Sequence, residues 1–574
     1  MSFNATVTLS IFLLTIVGLI RFQNKPAYVF VAALIILYVF NFVDSVQLVA
    51  SVANPGLLTL VMLMIASLAL EKTRLLRLIA QKVIKPSYSS TWLRLFGITV
   101  FSSALLNNSA VVSTMLAPIR NNQYHSASRL LLPLSFAAIL GGTLTLVGTS
   151  TNLIVNSLVI DAGMPALGFF DFTVVGSLLC LFCGLVLFLV SDKLPNSRME
   201  KVTVKDYLID VKVNETSKLI GRTVEQNGLR NLESLFLVEV LRSGRLISPV
   251  SPYEVLQAHD RLILSGDVTK VMQLNQFDGL SLFANENGLP IDNMTEVVIR
   301  HESVLVGKTL KHAGFRALFD AAVVAIKRDG EKVSGKLGDI VLQVGDYLVL
   351  AVGEDFSRRK NITKNFIVIS GVEPEVSLTG WREWLASGGF FLAIGIAALG
   401  FVSLFKSMFI FLAILIATKC LTVNEVSQRL PRTIWAIIAS ALLLSKALTS
   451  SGVLTYFAQF LQQESGGITP IVGLVITYVI TWLLTELVTN NAAAALIFPI
   501  ALSIAQSCNA DPKAFVLAVA FGASASFISP YGYQTNLMVF NAGHYCLKDF
   551  IRSGLPVTIV YGFTVVISLS YLYF

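Results

Sequence analysis

The 574-residue sequence predicts a polytopic α-helical membrane protein: two inverted-topology repeats, each with a re-entrant hairpin and a broken helix, separated by a cytoplasmic α/β insert. Three observations carry the prediction. The chain is 54% hydrophobic and only 14% charged, a long central stretch departs from that character, and one pair of polar, helix-breaking motifs occurs in both apolar halves.

A mean hydropathy of +0.72 is wrong for a soluble enzyme, because charged side chains in hydrocarbon cost several kcal/mol and are avoided there. Candidate spans are 5–20, 27–43, 46–69, 92–106, 131–160, 168–191, 383–404, 407–421, 433–450, 469–488, 512–528 and 555–573. Several reach the ~20 residues a bilayer core requires; others are interrupted by Gly, Pro or amides. No signal-peptide cleavage pattern precedes or follows the first span, so it is expected to be retained. The net charge of +8 comes largely from three connections: Lys72, Arg74, Arg77, Lys82, Lys85 and Arg94; Arg120 and Arg129; Lys193, Arg198, Lys201 and Lys205. Basic loops stay on the cytoplasmic side, and alternating spans from residue 46 onward put all three there. The basic balance is topological, and no nucleic-acid partner is expected. The sequence Cys180-x-x-Cys183 lies in "GSLLCLFCGLVLFLV" with no His or second Cys pair nearby. It reads as a packed helix rather than a metal or redox site.

Between 193 and 380 the chain is charged and alternating, with no apolar run of membrane length. "LIGRTVEQNGL" (219–229), "LFLVEVLRSGR" and "AHDRLILSGD" recur in the same order as "LVGKTLKHAGF" (305–315), "AAVVAIKRDGE" and "VGDYLVLAVGE". Gly221 to Asp260 and Gly307 to Asp346 are each 39 positions. That register predicts two copies of one small α/β unit, 193–286 and 287–380. Both copies resemble the TrkA-C module, the C-terminal domain of potassium-conductance regulators. The resemblance implies pairing between such modules and, in some members, binding of a nucleotide-like regulator. Arg242, Lys327 and Arg328 either hold a phosphate or sit in water, and the copies either bind a ligand or merely brace and dimerise the protein.

The membrane halves are 1–192 and 381–574. "LLNNSAVVSTMLAPI" (105–119) has a partner in "TELVTNNAAAALIFPI" (485–500), and "GTSTNLIVN" (148–156) has one in "GYQTNLMVFN" (532–541). Asn108 to Asn152 is 44 positions and Asn490 to Asn536 is 46. Broken apolar segments at corresponding positions of two halves mark secondary transporters built from inverted repeats, since non-helical backbone at that depth must be buried or line a cavity. Each amide triplet reads as the tip of a re-entrant hairpin. There a helix begins, presenting N–H groups and a positive dipole end to an anion, while Asn, Ser and Thr add donors and cation-binding oxygens without charge. Small residues after the tip let the arms pack. A lone triplet would read as polar helix–helix glue, but the paired register favours the hairpins.

At these residues both halves resemble the divalent anion/sodium symporter family, which includes sodium-coupled dicarboxylate, citrate and sulfate carriers. The resemblance implies two tips that contact substrate and each help bind one sodium, carried here by Asn107, Asn108 and Ser109 and by Thr489, Asn490 and Asn491. It adds Thr149 and Tyr533 beside the substrate. For sodium it implies Ser103, Asn108 and Gly148 in one half and Thr485, Asn490 and Gly532 in the other. The tips depart from the family's Ser-Asn-Thr, and "NNSAVV", "GGTLTLVGTSTNLIV" and "TNNAAAALIFPIA", with the inserted TrkA-C-like pair, look more like sulfate carriers of algae and bacteria. The implied partners are a divalent oxyanion, sodium ions, the lipid of the cell inner (plasma) membrane and a second copy in a homodimer.

The motif residues include no Arg or Lys. A bare dianion there would meet a desolvation penalty of several kcal/mol per charge, so substrate is expected to follow sodium. Each charge moved across ~100 mV costs about 2.3 kcal/mol; two sodium ions would cancel a dianion's charge. Glu486, next to the second tip, either tunes a sodium site, takes up a proton or caps a hairpin arm, and Lys446 is expected to snorkel. The competing readings are a sodium/dicarboxylate symporter, a cation/proton antiporter and a ligand-gated passive anion channel. The antiporter lacks its carboxylate, because neither broken loop carries one, and the channel lacks a filter-like sequence. No nucleophile elbow, HExxH or Walker motif points to an enzyme.

Overall fold

In the computed structural model, residues 3–574 are described except 23–24, 75–79, 81–82, 121, 192–193, 195–207, 230–234, 244, 267–276, 278, 283–293, 301–302, 329–330, 334–336, 354, 360, 371–377, 465–468 and 544. Arg77, Lys82, Lys193, Arg198, Lys201 and Lys205, and the expected boundaries at 192/193 and 286/287, lie outside the described residues. The first half contains α1 (Phe3–Arg21), α2 (Pro26–Val39), α3 (Ser45–Val52), α4 (Pro55–Glu71), α5 (Tyr88–Ser103), α6 (Asn108–Arg120), α7 (Leu131–Gly142), α8 (Ser150–Asp161) and α9 (Thr173–Ser191). Among the described residues, six segments are long and apolar enough to cross a membrane. Leu13, Leu14, Leu181, Phe182, Phe563 and Ile567 stand exposed on three of them, as side chains facing lipid do.

Local chemistry sets the helix ends. Asn54 Oδ1 accepts from Gly56 and Leu57 N–H ahead of Pro55, and Asp44 with Gln47 forms a capping box. The expected span 46–69 is therefore two helices, because Asn54-Pro55 stops one and starts the next. The expected span 131–160 is likewise split, with residues 143–149 between α7 and α8. Gly141, Gly142 and Gly148 permit that split. A Cβ on Gly141 would lie 2.5 Å from Val100 O, and one on Gly148 would lie 2.6 Å from Gly142 O.

The insert holds two five-stranded antiparallel sheets. The first has β1 (Leu208–Val213), β2 (Leu235–Arg242), β3 (Arg245–Ile247), β4 (Arg261–Gly266) and β5 (Leu280–Leu282) in the order β3-β2-β4-β1-β5. The second has β6 (Met294–Ile299), α10 (Phe315–Phe319), β7 (Ala321–Arg328), β8 (Glu331–Lys332), β9 (Tyr347–Val352), α11 (Ile362–Asn365) and β10 (Phe366–Ser370), with sheet order β10-β6-β9-β7-β8. The two orders are the same when β1 is matched to β6. Even the register shift recurs, between Leu237 and Glu239 and between Val323 and Ala325. The second unit carries a short helix, α10, before its second strand; the corresponding stretch of the first, 229–233, falls mostly outside the described residues.

Arg242 and Arg328 are engaged inside their own units. Each guanidinium forms two hydrogen bonds to the turn aspartate 18 positions on, Asp260 or Asp346, at 2.7–2.9 Å. Each also donates to a carbonyl, Val255 O or Val341 O. Asp260, with Glu254 assisting, holds the Arg242 guanidinium above its ordinary pKa. The expectation that these arginines hold a phosphate or sit in water is corrected: they staple the strand-to-turn geometry of their sheets.

The second half contains α12 (Trp381–Ala398), α13 (Leu404–Ala417), α14 (Val423–Gln428), α15 (Arg432–Ser450), α16 (Val453–Glu464), α17 (Pro470–Leu487), α18 (Asn490–Ser507), α19 (Pro512–Ser524), α20 (Gln534–Ala542) and α21 (Leu547–Tyr573). Its order matches the first from α5 onward: helix, tip, helix with an internal proline (Pro118 or Pro499), broken helix, long helix. Lys446 does not snorkel; its Nζ lies 2.9 Å from Asp161 Oδ1 at the end of α8.

Candidate functional site

The two breaks are built alike. Asn152 Nδ2 donates to Thr145 O (2.9 Å) and Gly142 O (3.4 Å), and Asn536 Nδ2 donates to Ser526 O (2.8 Å) and Ser529 O (3.4 Å). Both asparagines are buried. Carbonyls freed by unwinding a helix need partners where water is scarce, and these side chains supply them. The tips secure the loops by different groups. Thr145 Oγ1 donates to Ala104 O at the first tip, whereas Glu486 accepts from Ile528 and Ser529 N–H (3.3 and 3.2 Å) at the second. Of the readings open for Glu486, the structure places it against the second loop, bridging tip and break.

Asn108, Ser150, Asn490 and Gln534 are the first residues of α6, α8, α18 and α20, and all four line one cavity of about 160 Å³. Four helix N-termini thus converge on a single space, each with N–H groups that have no intrahelical acceptor. Thr149, Thr489 and Tyr533 stand at N-cap positions, but none of their side chains caps its own helix.

Asn107, Asn108, Ser109, Gly148, Thr149, Asn490, Asn491 and Tyr533 are on the cavity wall; Ser103, Thr485, Thr489 and Gly532 are not. Tyr533 crosses between halves: Asn108 Nδ2 donates to its Oη (2.9 Å), and Thr149 Oγ1 lies 2.8 Å from the same oxygen. Ser109 Oγ donates to Gln534 Oε1, Ser150 Oγ to Asn491 Oδ1, and Asn490 Nδ2 to Thr151 Oγ1. Ser103, buried behind the first tip, has its Oγ 2.6 Å from Asn108 Oδ1 and 2.8 Å from Ala138 O. Thr485 Oγ1 donates to Thr481 O (2.8 Å), leaving its lone pairs as acceptors, and a Cβ on Gly532 would lie 3.1 Å from Thr485 O. Thr489 Oγ1 is buried and has no hydrogen-bond partner among the described residues. These donor sets, neutral oxygens on one side and N–H groups on the other, fit an alkali cation beside an anion.

Sequence reasoning passed over Ser150 and Gln534, although each directly follows a named residue at a helix start. It also passed over Gly142, where a Cβ would lie 2.9 Å from Asn108 Nδ2. Glu71, Arg429 and Arg300 line the same cavity, and no local motif announced them. Among the described residues no cluster of three or more His, Cys, Asp or Glu could hold a metal; Cys180 and Cys183 are free thiols within α9.

The sequence profile of the citrate transporter family matches residues 12–522, from the first half through the insert and into the second half. The chain belongs to the citrate transporter family. This member is 30% identical to an uncharacterized transporter of Synechocystis over 92% of this chain and 90% of that one. It is 31% identical to sodium/sulfate cotransporter 1 of Chlamydomonas reinhardtii over 63% of this chain and 43% of that protein. Similarity to a sodium-dependent dicarboxylate transporter of Staphylococcus saprophyticus, 26% identical, covers 24% of this chain and 26% of that one. The citrate transporter family assignment makes this a multi-pass membrane carrier; its cargo is a separate question.

Proposed function

We propose that this carrier is a sodium-coupled symporter of a divalent oxyanion, sulfate first, working by alternating access between two inverted repeats. The observation that carries the reading is the convergence of four helix N-termini on one cavity, with Asn, Ser, Thr and Tyr at the tips and breaks. Such ends favour negative charge, and sodium at the Ser103/Asn108/Gly148 and Thr485/Asn490/Gly532 clusters supplies what the uncharged side chains do not. Opposed entry of the hairpins is supported by contacts at their outer ends. Arg120, ending α6, meets the insert (Glu296, 3.1 Å), whereas α19, which follows α18, begins beside Asp171 in the α8–α9 connection (Lys513, 2.9 Å). With the basic connections cytoplasmic, the insert of two TrkA-C-like units lies inside the cell, the spans lie in the inner membrane, and the carrier works as a homodimer.

Labelled sulfate uptake by purified protein in proteoliposomes tests the reading. Uptake should require an inward sodium gradient and resist competition by succinate and citrate. Full affinity for sulfate in potassium or choline at unchanged pH would overturn sodium coupling. The family profile and the dicarboxylate-carrying relative favour a polycarboxylate as the second reading, and dominant competition by citrate or succinate would select it.

A further inference from the structure

The second insert unit forms part of the cavity wall. Ile299, Arg300, Val344, Gly345 and Ile367 face the same space as the two tips. We propose that this unit is a stopper: docked, it closes the cavity on the insert's side, and cargo leaves by that side only after the unit lifts from its seat. The proposal rests on the transport reading of the cavity.

The seat is specific to one of the two copies. In both units the turn before the fourth strand adopts a left-handed conformation, at His259 (φ +68°) in the first and Gly345 (φ +82°) in the second. In both, the following aspartate accepts from the N–H of the preceding glutamine at 2.8 Å. The first copy tolerates a histidine there, exposed and 2.9 Å from Glu215, so this φ alone does not demand glycine. Contact demands it in the second. A Cβ on Gly345 would lie 2.8 Å from Asn541 Nδ2 and 2.9 Å from Leu537 Cγ, and Asn541 Nδ2 donates to Gly345 O. The unit therefore sits backbone-first on α20. In the register that pairs Asn152 with Asn536, the first-half counterpart of Asn541 is Ser157, which stays within its own helix by donating to Leu153 O.

A second clamp holds α6. Arg120, only 8% exposed, has its Nη1 3.1 Å from Glu296 Oε2, donates to Tyr347 Oη at 2.6 Å and lies over that ring at 5.0 Å from its centroid. Arg300 faces Glu71 at 3.9 Å. The elements gripped, α6 and α20, belong to different halves, and their other ends carry Asn108 and Gln534 on the cavity wall. Docking thus fixes both halves of the cradle together.

The test reads access, not transport. Met64, on the cavity wall, is replaced by cysteine in a background where the exposed Cys546 is serine, in sealed vesicles whose insert faces the medium. An impermeant maleimide is added. Glu296→Arg should speed labelling at least tenfold, Arg120→Glu combined with Glu296→Arg should return it, and Gly345→Ala should speed it independently. Unchanged labelling in Glu296→Arg and Gly345→Ala overturns the stopper, as does an unrestored rate in the charge swap. Because no cargo is involved, these outcomes are separate from those of the sulfate and sodium assays.

Discussion

Thr489 Oγ1, shielded from solvent without a hydrogen-bond partner among the described residues, is in the condition that costs a buried hydroxyl about 1–3 kcal/mol until something binds it. Thr489→Val should therefore leave thermal stability unchanged or raised. It should also raise the half-saturating sodium concentration for uptake about tenfold, a loss of about 1.4 kcal/mol. An unchanged sodium dependence would show that this hydroxyl takes no part in ion binding. Gly142 works by absence. Because a Cβ there would lie 2.9 Å from Asn108 Nδ2 and 3.3 Å from Gly148 O, Gly142→Ala must displace the tip asparagine or the loop. Uptake should fall more than about tenfold, the scale of one lost buried contact, while the protein still elutes as a folded species in size-exclusion chromatography.

At the scale of elements, each broken helix depends on one asparagine that replaces the missing helical bonds. Asn152→Ala and Asn536→Ala should each lower unfolding free energy by about 1–3 kcal/mol, read as a reduced thermal midpoint in detergent. Glu486→Gln should cost less than Glu486→Ala, because an amide oxygen still accepts from the Ile528 and Ser529 N–H groups. Equal losses would show that the charge, not the bridge, matters. The breaks were legible in sequence because Gly-x-x-Thr-Asn-Leu occurs twice, and the insert's duplication was legible from its spacing of 39. The split of 46–69 was missed although Asn54-Pro55 announces it; apolar continuity outweighed the local stop. The role of Arg242 and Arg328 was hidden because an arginine 18 positions from an aspartate reveals nothing until strand pairing brings them together.

For the whole molecule, contacts between segments far apart in the chain decide what local pattern cannot. Lys446 and Asp161 join the two membrane halves, each partly buried, so removing one partner leaves an uncompensated charge. A double-mutant cycle should show it: Lys446→Met alone should destabilise more than Lys446→Met with Asp161→Asn, with a coupling of about 1–3 kcal/mol in thermal unfolding. Additive effects would mean that the pair contributes nothing. Arg300 entered the cavity unannounced for the same reason, its neighbours there lying in other segments of the chain. On the cavity wall the tips and breaks present amides, hydroxyls and helix ends, while the carboxylate of Glu486 stands behind the second tip against the Ile528 and Ser529 N–H groups. Turnover can therefore follow pH through two groups, this carboxylate and the transported molecule. A slope between pH 5 and 8 that survives Glu486→Gln traces the ionisation of the transported molecule, flat for sulfate and sloping for a tricarboxylate.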